Sequence, residues 1–375
     1  MPGGELPIVW NGRRATAWVP DPLLPFGYDP PGSTVRALER AAGAVRHAGR
    51  GLPASWEPLA RLLLRAEGVA SSNIEGLRAP AVDVIAAELG ATQDDAAGDA
   101  MWVTDNLRAV TDALDDASLE RPLSVERIHE WHGRLMAHSG IAAQHVGVFR
   151  AAQGWIGGRS PLDAAFVPPP PDRVPHLIDD LIAFVNRDDI DAITQAAIAH
   201  GQFETIHPYA DGNGRIGRVL VLWVLARRLD VTVPPPVSVQ IARDPGGYVA
   251  GLYWFRTGEF TRWLSWFASV VESAAASVDE RATELDTLMR EWRHRLANVR
   301  SDSAAHRILD LLPAQPVLST GLAAQMAGVS DTAARAALTA LASRRIVDHY
   351  APRTRSVGRP GGWWYAPALV DLVAR

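Results

Sequence analysis

Two residue types are missing from this chain: it has no cysteine and no lysine, and all 37 of its basic residues are arginine. The first absence excludes disulfides, thiolate zinc sites and cysteine nucleophiles. The second excludes a Walker A loop and a Schiff-base lysine, so any phosphate site must be built from arginine and backbone amides. Long apolar runs are also missing; none approaches the roughly 20 residues that a membrane span needs. The opening Met1-Pro2-Gly3-Gly4-Glu5 lacks a basic and apolar signal segment. A cytoplasmic protein without membrane attachment is therefore expected. The formal net charge of −5 supplies no global pull toward nucleic acid. With 375 residues, 47% hydrophobic and 21% charged, the chain has the size of two domains and a small third.

What is present concentrates in one window, His207-Pro208-Tyr209-Ala210-Asp211-Gly212-Asn213-Gly214-Arg215-Ile216-Gly217-Arg218. An apolar run from Val219 to Ala226 follows and reads as a buried helix, so Gly212 to Gly214 fall where that helix begins. A helix start offers unpaired N–H groups and the positive end of the dipole, which together bind phosphate. Arg215 and Arg218 are three apart and share a face, suited to a polyphosphate because guanidinium bonds its oxygens in pairs. Asp211 supplies a hard oxygen for Mg²⁺. His207 can take a proton from an attacking hydroxyl near neutral pH.

This window resembles the signature of the Fic-domain family, His-x-Phe-x-(Asp/Glu)-Gly-Asn-Gly-Arg-x-x-Arg. Every fixed position matches except Tyr209, where phenylalanine is commoner. The resemblance covers most of residues 15–285. It implies a mainly α fold, a Fic-type helical bundle with a β-hairpin flap, and transfer of AMP from ATP to a Ser, Thr or Tyr hydroxyl of a protein. In that reading His207 is the base and Asp211 holds Mg²⁺ across the α- and β-phosphates. Gly212, Asn213 and Gly214 cradle phosphate, Arg215 stabilises the leaving pyrophosphate, and Arg218 holds the γ-phosphate. Tyr248 matches a tyrosine that some relatives place beside adenine, with Arg256 at the accompanying position.

In chain order, residues 1 to about 34 are rich in proline and glycine and suggest an extended arm. Helices follow from Thr34 to Gly49 and beyond Pro53 and Pro58, the second burying Leu59, Leu62, Leu63 and Ala66. That helix runs into Ser71-Ser72-Asn73-Ile74-Glu75-Gly76, which on its own reads as a helix end with capping residues. Beside the phosphate motif it resembles the family's inhibitory motif, (Ser/Thr)-x-x-x-Glu-(Gly/Asn). The resemblance implies that Glu75, with Ser71 opening the motif, pairs with Arg218 and keeps the γ-phosphate from its productive pose. Ser124 should cap a helix carrying His129 and His132, which read as structural rather than as metal ligands.

Residues 148–171 depart from helical spacing. Gln153, Gly154, Trp155, Ile156 and Gly157 are expected to form the hairpin flap that docks an extended segment of the target by strand addition. From Ser301 on, arginines outnumber aspartates. Three helices, with Asp331 to Ser343 in the recognition position, and Arg353, Arg355 and Arg359 in a loop before Trp363 suggest a winged helix-turn-helix. It could contact DNA or protein. The sequence thus divides into an N-terminal arm and helices (1–100), a catalytic core (101–285), a helical connector (286–300) and a winged-helix domain (301–375). Removal of that last domain should leave self-modification intact if it only recruits partners. Two alternatives stand beside AMP transfer: a DNA-binding transcription regulator with a nucleotide-sensing Fic core, and removal of AMP from modified protein at the same site.

Overall fold

Asn11-Gly12 folds the first residues back on themselves. In the computed structural model, strands β1 (Gly4–Trp10) and β2 (Arg13–Val19) pair antiparallel, Gly4 opposite Val19 and Trp10 opposite Arg13. The two turn residues both have positive φ, 48° and 76°, as a two-residue hairpin turn requires. The extended arm expected here is therefore a hairpin. The prolines that argued for an arm lie mostly beyond it, and Asn-Gly is the turn signal that outweighs them. The structure describes residues 3–50, 57–90, 98–351 and 362–375.

The hairpin is followed by α1 (Gly32–Arg50), α2 (Glu57–Ile74), α3 (Ala81–Glu88), α4 (Asp99–Ser118) and α5 (Val125–Leu135). Then come α6 (Val174–Val185), α7 (Ala192–Ile206), α8 (Asn213–Leu229), α9 (Val237–Arg243), α10 (Pro245–Arg256) and α11 (Phe260–Arg295). The C-terminal part holds α12 (Ala304–Leu311), β3 (Val317–Ser319), α13 (Thr320–Ala327), α14 (Asp331–Ala342), β4 (Asp348–Tyr350), β5 (Trp363–Tyr365) and α15 (Pro367–Ala374). The fold is mainly helical, as the periodicity and the resemblance imply.

Two compact units divide the chain: residues 1–49 with 108–275, and residues 50–107 with 276–375. These units cut the chain differently from the sequence-based division at 100, 285 and 300. In the first, α7 and α8 pack against each other, with α6 and α10 against α7 and α5 against α8. Every residue of α7 is buried, and nearly every one of α8, which marks them as the central pair of a bundle. Helix α11 runs unbroken for 36 residues where a closing helix and a connector were expected. It contains neither glycine nor proline, and so nothing stops it.

The second unit has one continuous core. It joins Leu62 and Val69 of α2, Val84 and Ile85 of α3, and Met289 and Trp292 of α11 to Ile308, Leu338 and Leu372 of the C-terminal part. Buried Arg65 of α2 donates from Nη1 to the Ala314 carbonyl at 3.0 Å and from Nε to Glu88 at 2.9 Å. Tyr350 donates its hydroxyl to Asp83 of α3 at 2.6 Å. The sheet has the order β3-β5-β4, antiparallel throughout. Helix α15, which was not anticipated, packs on α2 and α3 and buries Leu369, Val370, Leu372 and Val373. Residues 301–375 therefore share their core with the helix that carries Ser71. Arg353, Arg355 and Arg359 lie outside the described residues. On α14, Asp331, Thr332, Arg335, Ala336 and Thr339 are exposed.

Candidate active site

Helix α7 ends at His207, whose backbone takes the left-handed conformation (φ 50°, ψ 62°) while its N–H still bonds the Phe203 carbonyl at 2.8 Å. A non-glycine residue there is uncommon and marks a built turn. The chain then closes a loop on itself. The Asn213 side chain accepts from the Tyr209 N–H at 2.8 Å and donates to the Tyr209 carbonyl at 2.9 Å. Asn213 was expected to offer its amide to phosphate; here the amide holds the loop in shape, at 2% exposure. Gly212 caps α8 with φ 78°, and a Cβ on it would lie 3.0 Å from the Met136 sulfur and 3.1 Å from Leu135. Only glycine suits both the conformation and the space. The first amides of α8 are thereby presented at the end of a tight loop, the arrangement that binds anions.

Tyr209 fills the pocket under this loop. Its ring stacks on His132, centroids 3.8 Å apart and 8° from parallel, and its hydroxyl meets His129 Nδ1 at 2.9 Å. The polar tip of a tyrosine in place of phenylalanine is thus satisfied. His132 accepts from the Gly147 N–H through Nδ1 at 2.9 Å, so its proton sits on Nε2, which donates to the Asp211 carbonyl at 3.1 Å. Burial pushes His132 down to about 4, and it stays neutral near pH 7. It is a structural histidine and fixes Asp211. The exposed Asp211 side chain accepts from the Gly212 N–H at 2.7 Å. Among the described residues no group of three or more His, Asp or Glu could hold a metal ion. A magnesium ion carried by nucleotide phosphates needs only one or two protein carboxylates, and Asp211 beside an amide cradle fits that demand.

Arg150 ties the His207 turn to the segment expected to be the flap. It is 5% exposed and donates to the carbonyls of His207 (2.8 Å), Ile206 (3.3 Å), Ala152 (3.1 Å) and Pro169 (2.5 Å). Its own N–H bonds the Pro208 carbonyl at 2.9 Å. Burial lowers it to about 10, so it remains a cation, held at the negative end of α7. Arg150 was not among the residues the sequence singled out. A lone arginine among glycine and apolar residues was the signal available.

The expected β-hairpin flap is a loop closed by a single bridge, Ile156 with Phe166, and has no strand. Gly157 and Gly158 have positive φ, and the Asp163 carboxylate accepts from the N–H groups of Arg159 (3.1 Å) and Ser160 (2.8 Å). That turn satisfies the backbone locally, and Pro168 to Pro171 have no N–H to extend a ladder. Gln153 donates to the carbonyls of Gly154 (3.0 Å) and Pro168 (2.8 Å). Trp155 and Ile156 are exposed, Trp155 packing edge-on against Trp10 at 5.4 Å. The hairpin β1–β2 reaches the same segment through the Trp18 N–H, which bonds the Val167 carbonyl at 2.8 Å.

Arg215 and Arg218 lie in the first turns of α8 and are almost wholly buried, at 3% and 2% exposure. An Arg215 Nη2 approaches the Met136 sulfur at 3.8 Å. Tyr248, expected beside a base, has its hydroxyl 3.0 Å from His200 Nε2 and its ring stacked between His200 and Trp266. Its partner His200 faces Gly217 of α8. Glu204, absent from the sequence reading, is buried with its Oε2 3.9 Å from His207 Nδ1. Ser71 is buried in the last turn of α2, and Glu75 follows that turn, exposed. These two residues belong to the second compact unit and Arg218 to the first.

Residues 122–225, which hold the loop, the turn and both arginines, match the Fic/DOC family. They form a Fic domain. A Fic family protein from Desulfovibrio desulfuricans shares the fold at a TM-score of 0.55 and 21% identity, over 90% of this chain and 98% of that one. A probable protein adenylyltransferase of Aquifex aeolicus is 46% identical over 63 residues, 16% of this chain and 20% of the relative. The protein adenylyltransferase fic-1 of Caenorhabditis elegans is 27% identical over 155 residues, 40% of this chain and 28% of the relative. The chain thus spans under a third of the length of these two curated relatives. Tyr209, with its hydroxyl on His129, is a local variation inside the Fic domain.

Proposed function

We propose that this protein transfers AMP from ATP to a hydroxyl of a protein, itself included. The observation that carries the reading is the closed loop from Tyr209 to Asn213, which sets the start of α8 beside a histidine held at the end of α7. Two relatives over part of the chain bear the name protein adenylyltransferase, which supports it. The nucleotide's phosphates would lie against the backbone amides of Gly212, Asn213 and Gly214, with Asp211 toward a magnesium ion that neutralises their charge. His207 takes the proton of the target hydroxyl as its oxygen bonds the α-phosphorus. The bond from that phosphorus to the bridging oxygen breaks, and pyrophosphate leaves past Arg215. Attack must be in line, so the pose of the triphosphate governs the rate.

Arg218 holds the γ-phosphate in that pose, and Glu75 competes for the same guanidinium. A carboxylate neutralises the charge that the phosphate needs, so a shift of Glu75 switches the site. Tyr248 serves the base through its neighbours. The loop from Gln153 to Gly157 receives the target, and the exposed Trp155 and Ile156 suit an apolar or extended segment. The C-terminal helices and sheet are a winged-helix module that recruits protein or DNA. On protein incubated with α-labelled ATP and magnesium, Glu75→Gly should raise labelling and His207→Ala should abolish it. Labelling retained without His207 would remove the proposed base. Release of AMP from pre-labelled protein by the wild type, but not by Glu75→Gly, would favour the reverse reaction.

A further inference from the structure

Helix α7 is apolar or small along most of its length, yet it buries a carboxylate one turn before its end. Glu204 is 6% exposed, and its Oε2 is 3.9 Å from the Nδ1 of His207. Burying a carboxylate costs several kcal/mol unless a charge or donor compensates, so its retention inside a helical core calls for a reason. The neighbouring helix makes room for it. A Cβ on Gly217 of α8 would stand 2.5 Å from Glu204 Oε1 and 3.1 Å from His200 Nδ1. No side chain larger than hydrogen leaves that carboxylate where it is. The left-handed backbone of His207 turns the residue out of the helix, with Glu204 three positions earlier within reach of its ring.

We propose that Glu204 is the positioning residue of His207: its carboxylate receives the Nδ1–H, so that Nε2 faces the target hydroxyl unprotonated and the imidazolium is stabilised as it forms. This rests on the AMP-transfer reading above. The proton balance is closed. The hydroxyl proton moves to Nε2, the oxygen bonds the α-phosphorus, pyrophosphate leaves, and the Nδ1 proton stays on the ring while Glu204 accepts its hydrogen bond. The resting separation exceeds a hydrogen bond by about 1 Å, and such catalytic contacts commonly tighten only when substrates bind. Groups that face Glu204 include His200 on its own helix and Arg256 of α10. Burial lowers Arg256, and the charge of Glu204 opposes that shift. The Arg256 guanidinium in turn lies 4.2 Å over the ring of Phe166, the bridge partner of Ile156. Glu204 thus approaches the base directly and is linked through the charge of Arg256 to the loop that would receive the target.

Two measurements test this on the full-length chain. Nitrogen NMR of histidine-labelled protein, assigned by comparison with His207→Ala, reads the tautomer directly and needs no activity. The proton is expected on Nδ1 of His207; a proton on Nε2 would overturn the assignment. In the Glu75→Gly background, Glu204→Gln keeps shape and an acceptor but removes the charge. It should lower kcat for labelling by about tenfold or more, with KM for ATP unchanged. It should also move the acid limb of the pH profile down by about one unit, because a neighbouring anion raises an imidazole pKa. Gly217→Ala, which displaces the carboxylate without removing it, should shift the limb in the same direction. An unchanged kcat and pH limb in a folded Glu204→Gln protein would sink the proposal. Should the Glu75→Gly parent itself fail to label, the AMP-transfer reading falls, while the tautomer still decides whether Glu204 holds His207.

Discussion

Arg150 offers the sharpest quantitative test of how the His207 turn is held. Its fork reaches four carbonyl oxygens, of which those of His207 and Pro169 receive the two shortest bonds, at 2.8 and 2.5 Å. Hydrogen bonds from a charged donor contribute about 1.5–3 kcal/mol each, and an orphaned buried carbonyl costs about 1–3 kcal/mol. Arg150→Ala should therefore destabilise the first compact unit by about 4 kcal/mol, the two short bonds dominating. For a unit of this size, about 2–4 °C of melting temperature accompanies each kcal/mol, giving a fall of about 8–16 °C. Arg150→Lys keeps the charge at the end of α7 but replaces a rigid fork by a point, and about half the loss is expected. The His207 turn would then sit loosely. Since a misplacement of about 1 Å can cost about 100-fold in rate, labelling should fall much further than ATP affinity. Melting followed by circular dichroism, with calorimetric ATP binding and labelling in the Glu75→Gly background, separates these effects. If Arg150→Lys melts within about 1 °C of its parent and labels equally well, the turn does not depend on the guanidinium.

Acid should destabilise the protein through His132. Its folded pKa is near 4 against an ordinary value of 6.5, so the unfolded chain binds a proton that the folded one refuses as pH falls from about 6.5 to 4. Stability is full above that window and declines through it by about 3 kcal/mol. Denaturant melts across pH check this, and His132→Gln should flatten the decline. The shared core of the second unit predicts a different outcome for removal of residues 301–375 than a separable module would give. Without Ile308, Leu338 and Leu372, the apolar face of α2 loses its cover. Proteolysis within α2 should rise, and self-labelling should climb toward that of Glu75→Gly. A truncated chain with an intact, protected α2 and unchanged labelling would mean that residues 301–375 are separable from α2 despite the shared core.

The window from His207 to Arg218 was legible because its chemistry is local. Glycines at a helix start, a carboxylate and paired guanidiniums lie within twelve consecutive residues, and the structure draws them into one loop at the start of α8. The helix cap Ser124 was legible for the same reason, since it accepts an N–H three residues on. What escaped depends on distant partners. Arg150 meets His207 57 positions away, and Glu204 owes its room to a glycine on the next helix. The flap was expected from glycine punctuation alone, and what stands there is one antiparallel bridge, Ile156 with Phe166, around a turn that Asp163 closes. The compact units fall elsewhere than the expected domain limits because Ala-rich and Leu-rich stretches look alike whether they bury against their own module or against α2. Asn213 was assigned to phosphate by its neighbours, and only the folded loop assigns its amide to Tyr209.

The central claim is that the start of α8 receives a nucleotide's triphosphate with His207 at its edge. A crystal of the Glu75→Gly protein soaked with magnesium and a non-hydrolysable ATP analogue tests it most directly. The account predicts phosphates on the amides of Gly212 to Gly214 beside Arg215, with the α-phosphorus on the His207 side and the metal at Asp211. Nucleotide bound elsewhere, or a loop left empty at saturating analogue, would contradict it.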